Sequence, residues 1–241
     1  MFDDAKFESA DVSMSSELAI TYRLLRNDDI NDVIELLVEH YMPYEPLSKC
    51  LNMTKEEMRL YADEAVREVI PAGISIGAFD DIRKTVCGVT FGTLDPHQNL
   101  DAKHGSREVP VKVEILQRFE EWAESTLSTD LGSTNFVIAD LLVVSSEYSN
   151  RKIATELSKR QMILFAELGF DFSVGFATSE KSLMIDKKIG YKCARKINML
   201  SYRDSDTGET VFAQAELKHN CVHVMYKDLR EIRSKKLNSL L

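Results

Sequence analysis

The chain is poor in the features that mark membrane-embedded and nucleic-acid-binding proteins. No apolar run approaches the ~20 residues that a membrane-spanning helix needs, so we expect no membrane partner. The chain has fewer basic than acidic residues, 30 against 39, which gives a formal net charge of −9. Phosphates would be repelled, so no nucleic-acid partner is expected, whereas a cationic substrate such as an amine is compatible with this charge.

Metal-binding and nucleotide-binding motifs are also missing. The cysteines Cys50, Cys87, Cys193 and Cys221 form no CxxC pair, and no histidine lies at ligand spacing from them. They are expected to be buried free thiols in a reducing compartment, with no metal site. The phosphate-binding pattern GxxxxGK[ST] is absent, which argues against a P-loop nucleotide site.

The composition predicts one domain between two short terminal regions. Residues 1–18 are acidic and polar, unlike a secretory signal or an Arg-rich transit peptide, and are expected to form a flexible tail. Residues 19–229 contain no linker and no shift in composition, which favours a single domain. Residues 230–241 are expected to be a C-terminal extension. With free cysteines and no targeting signal, we expect a cytoplasmic protein.

Hydrophobic periodicity predicts alternating strands and helices. Strands are predicted at residues 20–24, 74–79, 86–94, 141–144, 193–202, 211–217 and 220–226, and helices at residues 30–38, 54–69, 111–127 and 153–168. Two prolines, Pro43 and Pro46, predict a break in helical structure between the first two helices. In the helix at residues 111–127, Glu120 falls near the apolar face.

Residues 138–191 carry the clearest indication of function. They read as a strand, a polar loop, a long helix, a second strand and a second helix. A loop that leads into a helix N-terminus presents backbone N–H groups and the positive end of the helix dipole, which suits a diphosphate. This order of elements resembles the acetyl-CoA-binding core of the GCN5-related N-acetyltransferases.

The loop itself departs from the usual signature of that family, Gln/Arg-x-x-Gly-x-Gly/Ala. Residues 149–154 read SNRKIA, so Ala154 is kept while Lys152 replaces a glycine. The Cβ of Lys152 hinders close approach of a diphosphate, but Arg151 and Lys152 add two cations at the helix N-terminus. The resemblance implies that acetyl-CoA is bound by Leu142, Val143, Val144, Ser149, Asn150, Arg151, Lys152, Ile153 and Ala154.

The segment Tyr44-Glu45-Pro46-Leu47 resembles an Asp-Glu-Pro-Leu sequence of the insect arylalkylamine N-acetyltransferases within this family. In that group the glutamate is a general base that acts through ordered water, which implies this role for Glu45. Such a base is needed because an aliphatic amine is protonated at neutral pH. The alternative is that Glu45 is an ordinary surface acid.

Residues 177–191 resemble the Cys-Ser-Ser-His-Tyr-Ser stretch of the same group and the sequence that follows it. The resemblance implies proton-transfer roles for Thr178 and Ser182, and helix capping is an equal alternative for Thr178. Other family members have a tyrosine where Asp186 stands, and that tyrosine is the acid that protonates the departing CoA thiolate. An ionised aspartate is a poor proton donor. Ser182 is therefore the predicted acid. His219 matches a histidine of the group and is a candidate member of a proton relay.

The predicted fold is α/β (α+β), with a mixed, mostly antiparallel sheet flanked by helices. The predicted activity is transfer of an acetyl group from acetyl-CoA to a small primary amine, with an arylalkylamine as one option. The alternatives are a polyamine or another amine as acceptor, or a non-catalytic CoA-binding protein. Tyr41, Tyr44 and Phe91 could line an arylalkyl pocket or simply pack in the core. A monomer or a homodimer is expected.

Overall fold

A computed structural model describes residues 19–94, 109–215 and 220–233. The strands are β1 (Ile20–Leu24), β2 (Ile76–Asp80), β3 (Thr85–Thr93), β4 (Phe136–Val144), β5 (Phe172–Ala177), β6 (Lys192–Asn198) and β7 (Cys221–Asp228). The helices are α1 (Ile30–His40), α2 (Pro46–Cys50), α3 (Lys55–Val69), α4 (Val111–Glu124), α5 (Leu127–Leu131), α6 (Ile153–Glu167) and α7 (Glu180–Ile189).

The described strands form one sheet in the order β1-β2-β3-β4-β5-β7-β6. All neighbours pair antiparallel except β4 and β5, which are parallel. A parallel pair needs a crossover connection, and α6 provides it. The mixed, mostly antiparallel sheet predicted from the sequence is confirmed.

Helices cover both faces of the sheet and bury its apolar side chains. Helices α1 and α3 pack on β3 and β4, where Val33, Leu37 and Val66 meet Val89 and Phe91. Helix α6 packs against β2, β3 and β4 on the other face. Its stripe includes Leu157 and Phe165, both fully buried. These apolar stripes are the ones that the helical periodicity predicts.

Three predicted elements need correction. The strand predicted at residues 193–202 ends at Asn198, and Met199–Ser201 form a 3₁₀ helix. Residues 211–215 form turns instead of a strand. Phe212 is fully buried there against Phe119 and Tyr202, at ring-centroid distances of 4.9 and 5.9 Å, so this packing replaces strand pairing. The predicted break at Pro46 is also wrong in part, since Pro46 begins α2. Proline suits the first helical position because the N–H it lacks has no partner within the helix there.

The predicted N-terminal tail at residues 1–18, the segment at 95–108, His219 and residues 234–241 lie outside the described residues. All four cysteines are free thiols, as predicted, but the predicted burial holds only for Cys87, and Cys193 is exposed. Among the described residues, no helix is both long and apolar enough to cross a bilayer, and no cluster of side chains could hold a metal ion.

Candidate active site

The parallel strands β4 and β5 separate partway along their length, and a cavity begins at that fork. Their last paired residues are Ala139 and Gly175. The next residues on the two strands, Asp140 and Phe176, both line the cavity. Its volume is about 690 Å³, including the part open to solvent. Beyond Ala139, β4 still pairs with β3 on one side through Leu142 to Val144, while its other edge is not paired with β5.

Glu45 lies in the wall of this cavity and is only 6% exposed, so it is not an ordinary surface acid. It is the N-cap of α2, where its Oε2 accepts a hydrogen bond of 2.7 Å from the backbone N–H of Ser48. Its Oε1 has no hydrogen-bond partner of ordinary geometry among the described residues. An unpartnered carboxylate oxygen at the wall of a cavity is available to accept a proton from a ligand.

The surroundings make Glu45 a stronger base than a solvated glutamate. Burial raises the pKa of its carboxyl, and the backbone N–H groups of Ser48 and Leu47 oppose this rise. The hydroxyl of Thr178 lies close enough to oppose it as well. Burial raises a carboxyl pKa because it removes water from the charged form.

A second group of carboxyl groups lines the same cavity. Glu120 and Glu124 extend from α4, and Asp140 extends from β4. The hydroxyl of Tyr61 donates a 2.8 Å hydrogen bond to Oε1 of Glu120. Burial raises the pKa of Glu120 well above its usual value, and the charges of Asp140, Glu124 and Glu45 raise it further.

Aromatic side chains form much of the remaining wall. Tyr41, Tyr61, Phe91, Phe119 and Phe176 all line the cavity. Of the three residues for which pocket lining and core packing are equal alternatives, Tyr41 and Phe91 lie in this wall, and Phe91 is also fully buried in the core. Tyr44, by contrast, is 71% exposed and does not take part.

The structure separates the two residues that the resemblance pairs on α7. Thr178 lines the cavity with Glu45, and it is not the helix cap. Ser179 is the N-cap, and its partner in the capping box is Ser182. The Ser182 hydroxyl donates to the carbonyl of Ser179 at 2.9 Å and accepts from the Ser179 N–H at 3.2 Å. Ser182 is therefore part of the capping box, and of the two equal alternatives for Thr178 the structure does not bear out capping.

Asp186 differs from the sequence expectation. Burial raises the pKa of its carboxyl to about 7. An aspartate with this pKa is protonated in about half of the molecules near neutral pH. The sequence analysis treats Asp186 as an ionised and therefore poor proton donor, and this raised pKa makes Asp186 a candidate acid as well.

The loop before α6 combines exposed cations with an N-terminus that no side chain caps. Lys152 is the N-cap residue and makes no capping hydrogen bond. Both Asn150 and Lys152 have a φ of 63°, in the left-handed region that glycine favours. Arg151 is exposed, with its guanidinium 5.4 Å from the centre of the Tyr148 ring. The loop residues 149–154 are not part of the cavity wall that contains Glu45.

Sequence reasoning missed Glu120, Glu124, Asp140 and Tyr61 as site residues. A signal was present, because Glu120 interrupts the apolar face of α4 and Asp140 interrupts an apolar strand. Glu120 is half-buried on that face, where a charged residue needs a partner or a function.

No protein-family model and no curated protein matches the sequence. Solved structures match over most of the chain. Arylalkylamine N-acetyltransferase like 5b of a mosquito is 21% identical with a TM-score of 0.72, over 87% of this chain and 100% of that chain. The polyamine N-acetyltransferase of Drosophila melanogaster, an enzyme that catalyses the formation of N-acetylagmatine, is 16% identical with a TM-score of 0.72. The match covers 87% of this chain and 99% of that chain.

The C-terminal condensation domain of Ebony, solved with beta-alanyl-dopamine, is 16% identical with a TM-score of 0.72, over 88% of this chain and 99% of that chain. At these identities the likeness concerns the fold alone. The chain has the fold of the GCN5-related N-acetyltransferases, as the sequence resemblance predicts.

Proposed function

We infer that the protein transfers an acetyl group from acetyl-CoA to a small primary amine. The observation that carries this proposal is Glu45, a buried carboxylate in the wall of a cavity at the fork of β4 and β5, with one unpartnered oxygen. A base of raised pKa in an aromatic and acidic cavity suits an ammonium substrate. Structural neighbours that are N-acetyltransferases of arylalkylamines and polyamines support the same class of reaction.

In the proposed mechanism, Glu45 accepts a proton from the ammonium group, through water as the resemblance implies. The neutral nitrogen attacks the thioester carbonyl, so that a C–N bond forms and the C–S bond breaks. The departing thiolate then takes up a proton. Ser182 is the first candidate for the acid, and Asp186 is the second because burial raises its pKa to about 7.

The cosubstrate would bind along residues that the sequence already indicated. The edge of β4 from Leu142 to Val144 is not paired with β5 and could pair with the amides of a pantetheine arm. The uncapped N-terminus of α6, with Arg151 and Lys152 beside it, suits a diphosphate. Lys152 has a φ of 63°, a conformation that glycine favours, which is compatible with the glycine of the usual signature at this position.

The first test is titration calorimetry of the protein with acetyl-CoA and with CoA, followed by a thiol-release assay on a panel of amines. Micromolar binding and amine-dependent thiol release are the expected results. Binding without release for any monoamine, diamine or arylalkylamine would favour a non-catalytic CoA-binding protein. No binding of either compound would contradict the proposal.

A further inference from the structure

The loop before α6 has a strained backbone that contacts of its own residues do not explain. Residues 149–152 are all exposed, and Asn150 and Lys152 both have a φ of 63°. Among the described residues, no hydrogen bond from outside residues 146–156 reaches these four. Left-handed backbone at residues with a Cβ costs energy and persists only where the surrounding structure holds it. The loop is therefore held through its two buried neighbours, Tyr148 and Ile153.

Tyr148 is the neighbour with a directional contact to another part of the chain. Its hydroxyl donates a 2.6 Å hydrogen bond to Oδ2 of Asp80, the last residue of β2. Both side chains are buried, with 5% of Tyr148 and 1% of Asp80 exposed. The other carboxylate oxygen, Oδ1, accepts from the backbone N–H groups of Ile82 and Arg83 at 2.9 and 3.0 Å. Asp80 therefore joins the β2–β3 turn to the residue that precedes the loop.

This buried hydrogen bond is the strongest contact between the turn and the loop. A charge-assisted hydrogen bond contributes more than a neutral one, and loss of its donor leaves a buried carboxylate oxygen without a partner. The ion pair of Arg83 with Glu147 also joins the two segments, at 2.8 Å. Its side chains are 59% and 66% exposed, however, so solvent weakens the attraction between them.

The ring of Tyr148 also contacts a cation of the loop. The guanidinium of Arg151 lies 5.4 Å from the ring centre. A cation is attracted to the face of an aromatic ring, so the ring restricts where this guanidinium lies. The fixed position of Tyr148 therefore affects both the backbone of the loop and one of its two cations.

We propose that Tyr148 and Asp80 are positioning residues for the cosubstrate, which hold the loop before α6 in the conformation that receives a diphosphate. This inference rests on the proposed function, because that function assigns the diphosphate of acetyl-CoA to this loop. In the free protein the pair keeps residues 149–152 in place, so the ligand does not have to order them on binding. Without the hydrogen bond, part of the binding energy of the diphosphate is used to restore the loop.

The test is Tyr148→Phe, which removes the hydroxyl and keeps the ring beside Arg151. Calorimetric dissociation constants are measured for CoA and for pantetheine, a part of CoA that lacks the diphosphate. We expect the dissociation constant of CoA to rise about tenfold and that of pantetheine to stay within about twofold of wild type. With acetyl-CoA as substrate, KM should rise by the same factor while kcat stays within about threefold.

Tyr191→Phe is the matched control. The hydroxyl of Tyr191 also makes a buried hydrogen bond of 2.6 Å, with Ser173, and it lies outside the loop and the β2–β3 turn. Both variants should lower the unfolding temperature, but Tyr191→Phe should leave both dissociation constants within about twofold of wild type. Hydrogen exchange of the ligand-free protein gives a second readout. Amides of residues 149–153 should exchange about tenfold faster in Tyr148→Phe and at the wild-type rate in Tyr191→Phe.

Asp80→Asn tests whether the charge of the acceptor matters. The amide oxygen can still accept from the turn and the amide nitrogen can donate to the Tyr148 hydroxyl, so a neutral hydrogen bond replaces the charge-assisted one. We expect a rise of about threefold in the dissociation constant of CoA. Because both residues act through one hydrogen bond, the double variant should bind CoA within about twofold of Tyr148→Phe alone.

The outcomes separate this inference from the proposed function. An unchanged affinity for CoA in Tyr148→Phe, an equal loss of affinity for CoA and pantetheine, or additive losses in the double variant would each overturn the inference even if acetylation occurs. A loss of CoA affinity in Tyr148→Phe but not in Tyr191→Phe, with faster exchange in the loop, would support it even if no amine is acetylated. Failure of the wild-type protein to bind CoA would contradict the proposed function, and the inference with it.

Discussion

Replacement of Glu45 by glutamine is the most informative single perturbation of the proposed mechanism. The amide keeps an oxygen that can accept from the backbone N–H of Ser48, now 2.7 Å from Oε2, so the cap of α2 is preserved. Only the capacity to take up a proton is lost. The change therefore separates the role of Glu45 as a base from its visible role as a helix cap.

The size of the expected effect follows from the acid-base balance of the acceptor. An aliphatic amine with a pKa of about 10.4 is unprotonated in only about one molecule in a thousand near pH 7.4. A positioned general base contributes about 10²- to 10⁴-fold to such a reaction. We expect Glu45→Gln to lower kcat/KM about 10²- to 10³-fold near neutral pH.

The pH profile gives a second signature of the same role. Glu45 can accept a proton only when it is ionised, and burial raises its pKa. Activity of the wild-type protein should therefore be lost as the pH falls through this raised pKa. In Glu45→Gln the rate should instead follow the unprotonated amine and rise about tenfold per pH unit toward the amine pKa, so the two profiles converge at high pH.

The assay is thiol release from acetyl-CoA across a pH series, with thermal unfolding as the test of integrity. Glu56→Gln, which removes one exposed charge on α3, is the matched control and should behave as wild type. Turnover by Glu45→Gln within about twofold of wild type at neutral pH would refute the assignment. Glu45 would then be only the N-cap of α2.

Three further predictions concern stability, the cofactor loop and the acid. Folding raises the pKa of Glu120. Its contribution to the free energy of unfolding is therefore fully present below the pKa of the unfolded state and is lost as the pH rises through the pKa of the folded state. Glu120→Gln should thus have a higher unfolding temperature than wild type above neutral pH but the same unfolding temperature near pH 4.5. Scanning calorimetry can test this, and an equal rise in unfolding temperature at both pH values would contradict the reasoning. Lys152→Gly should tighten acetyl-CoA binding. Lys84, whose φ of 57° is close to the 63° of Lys152, is the matched control, and Lys84→Gly should leave the binding unchanged. Equal effects of the two variants in titration calorimetry would exclude a role for the loop before α6. Ser182→Ala should lower the free energy of unfolding by about 1 kcal/mol through the capping box and kcat by at least about tenfold. Asp186→Asn should leave kcat within about threefold of wild type. If Asp186 were the acid, the wild-type rate would fall above pH 7, and the variant would show a larger loss of kcat without that fall.

The sequence of residues 138–191 was enough to predict the architecture because its signals are local. The apolar stripe of α6 and the left-handed Gly169 just beyond it depend on residues a few positions apart. Where a long-range contact overrides local preference, the prediction failed. Alternation at residues 211–217 is typical of a strand, but the burial of Phe212 against Phe119 holds residues 211–215 in turns.

For the site, the sequence by itself determined which residue types were available for chemistry, including Glu45 ahead of a proline and the basic loop before α6. Only the tertiary structure decided what surrounds them. Glu45, Tyr61, Glu120 and Asp140 lie on four separate segments and border one cavity because β4 and β5 part after Ala139 and α3 and α4 pack beside that fork. The physical reason is that burial and mutual repulsion of carboxyl groups depend on distances in space, which periodicity along a chain does not encode.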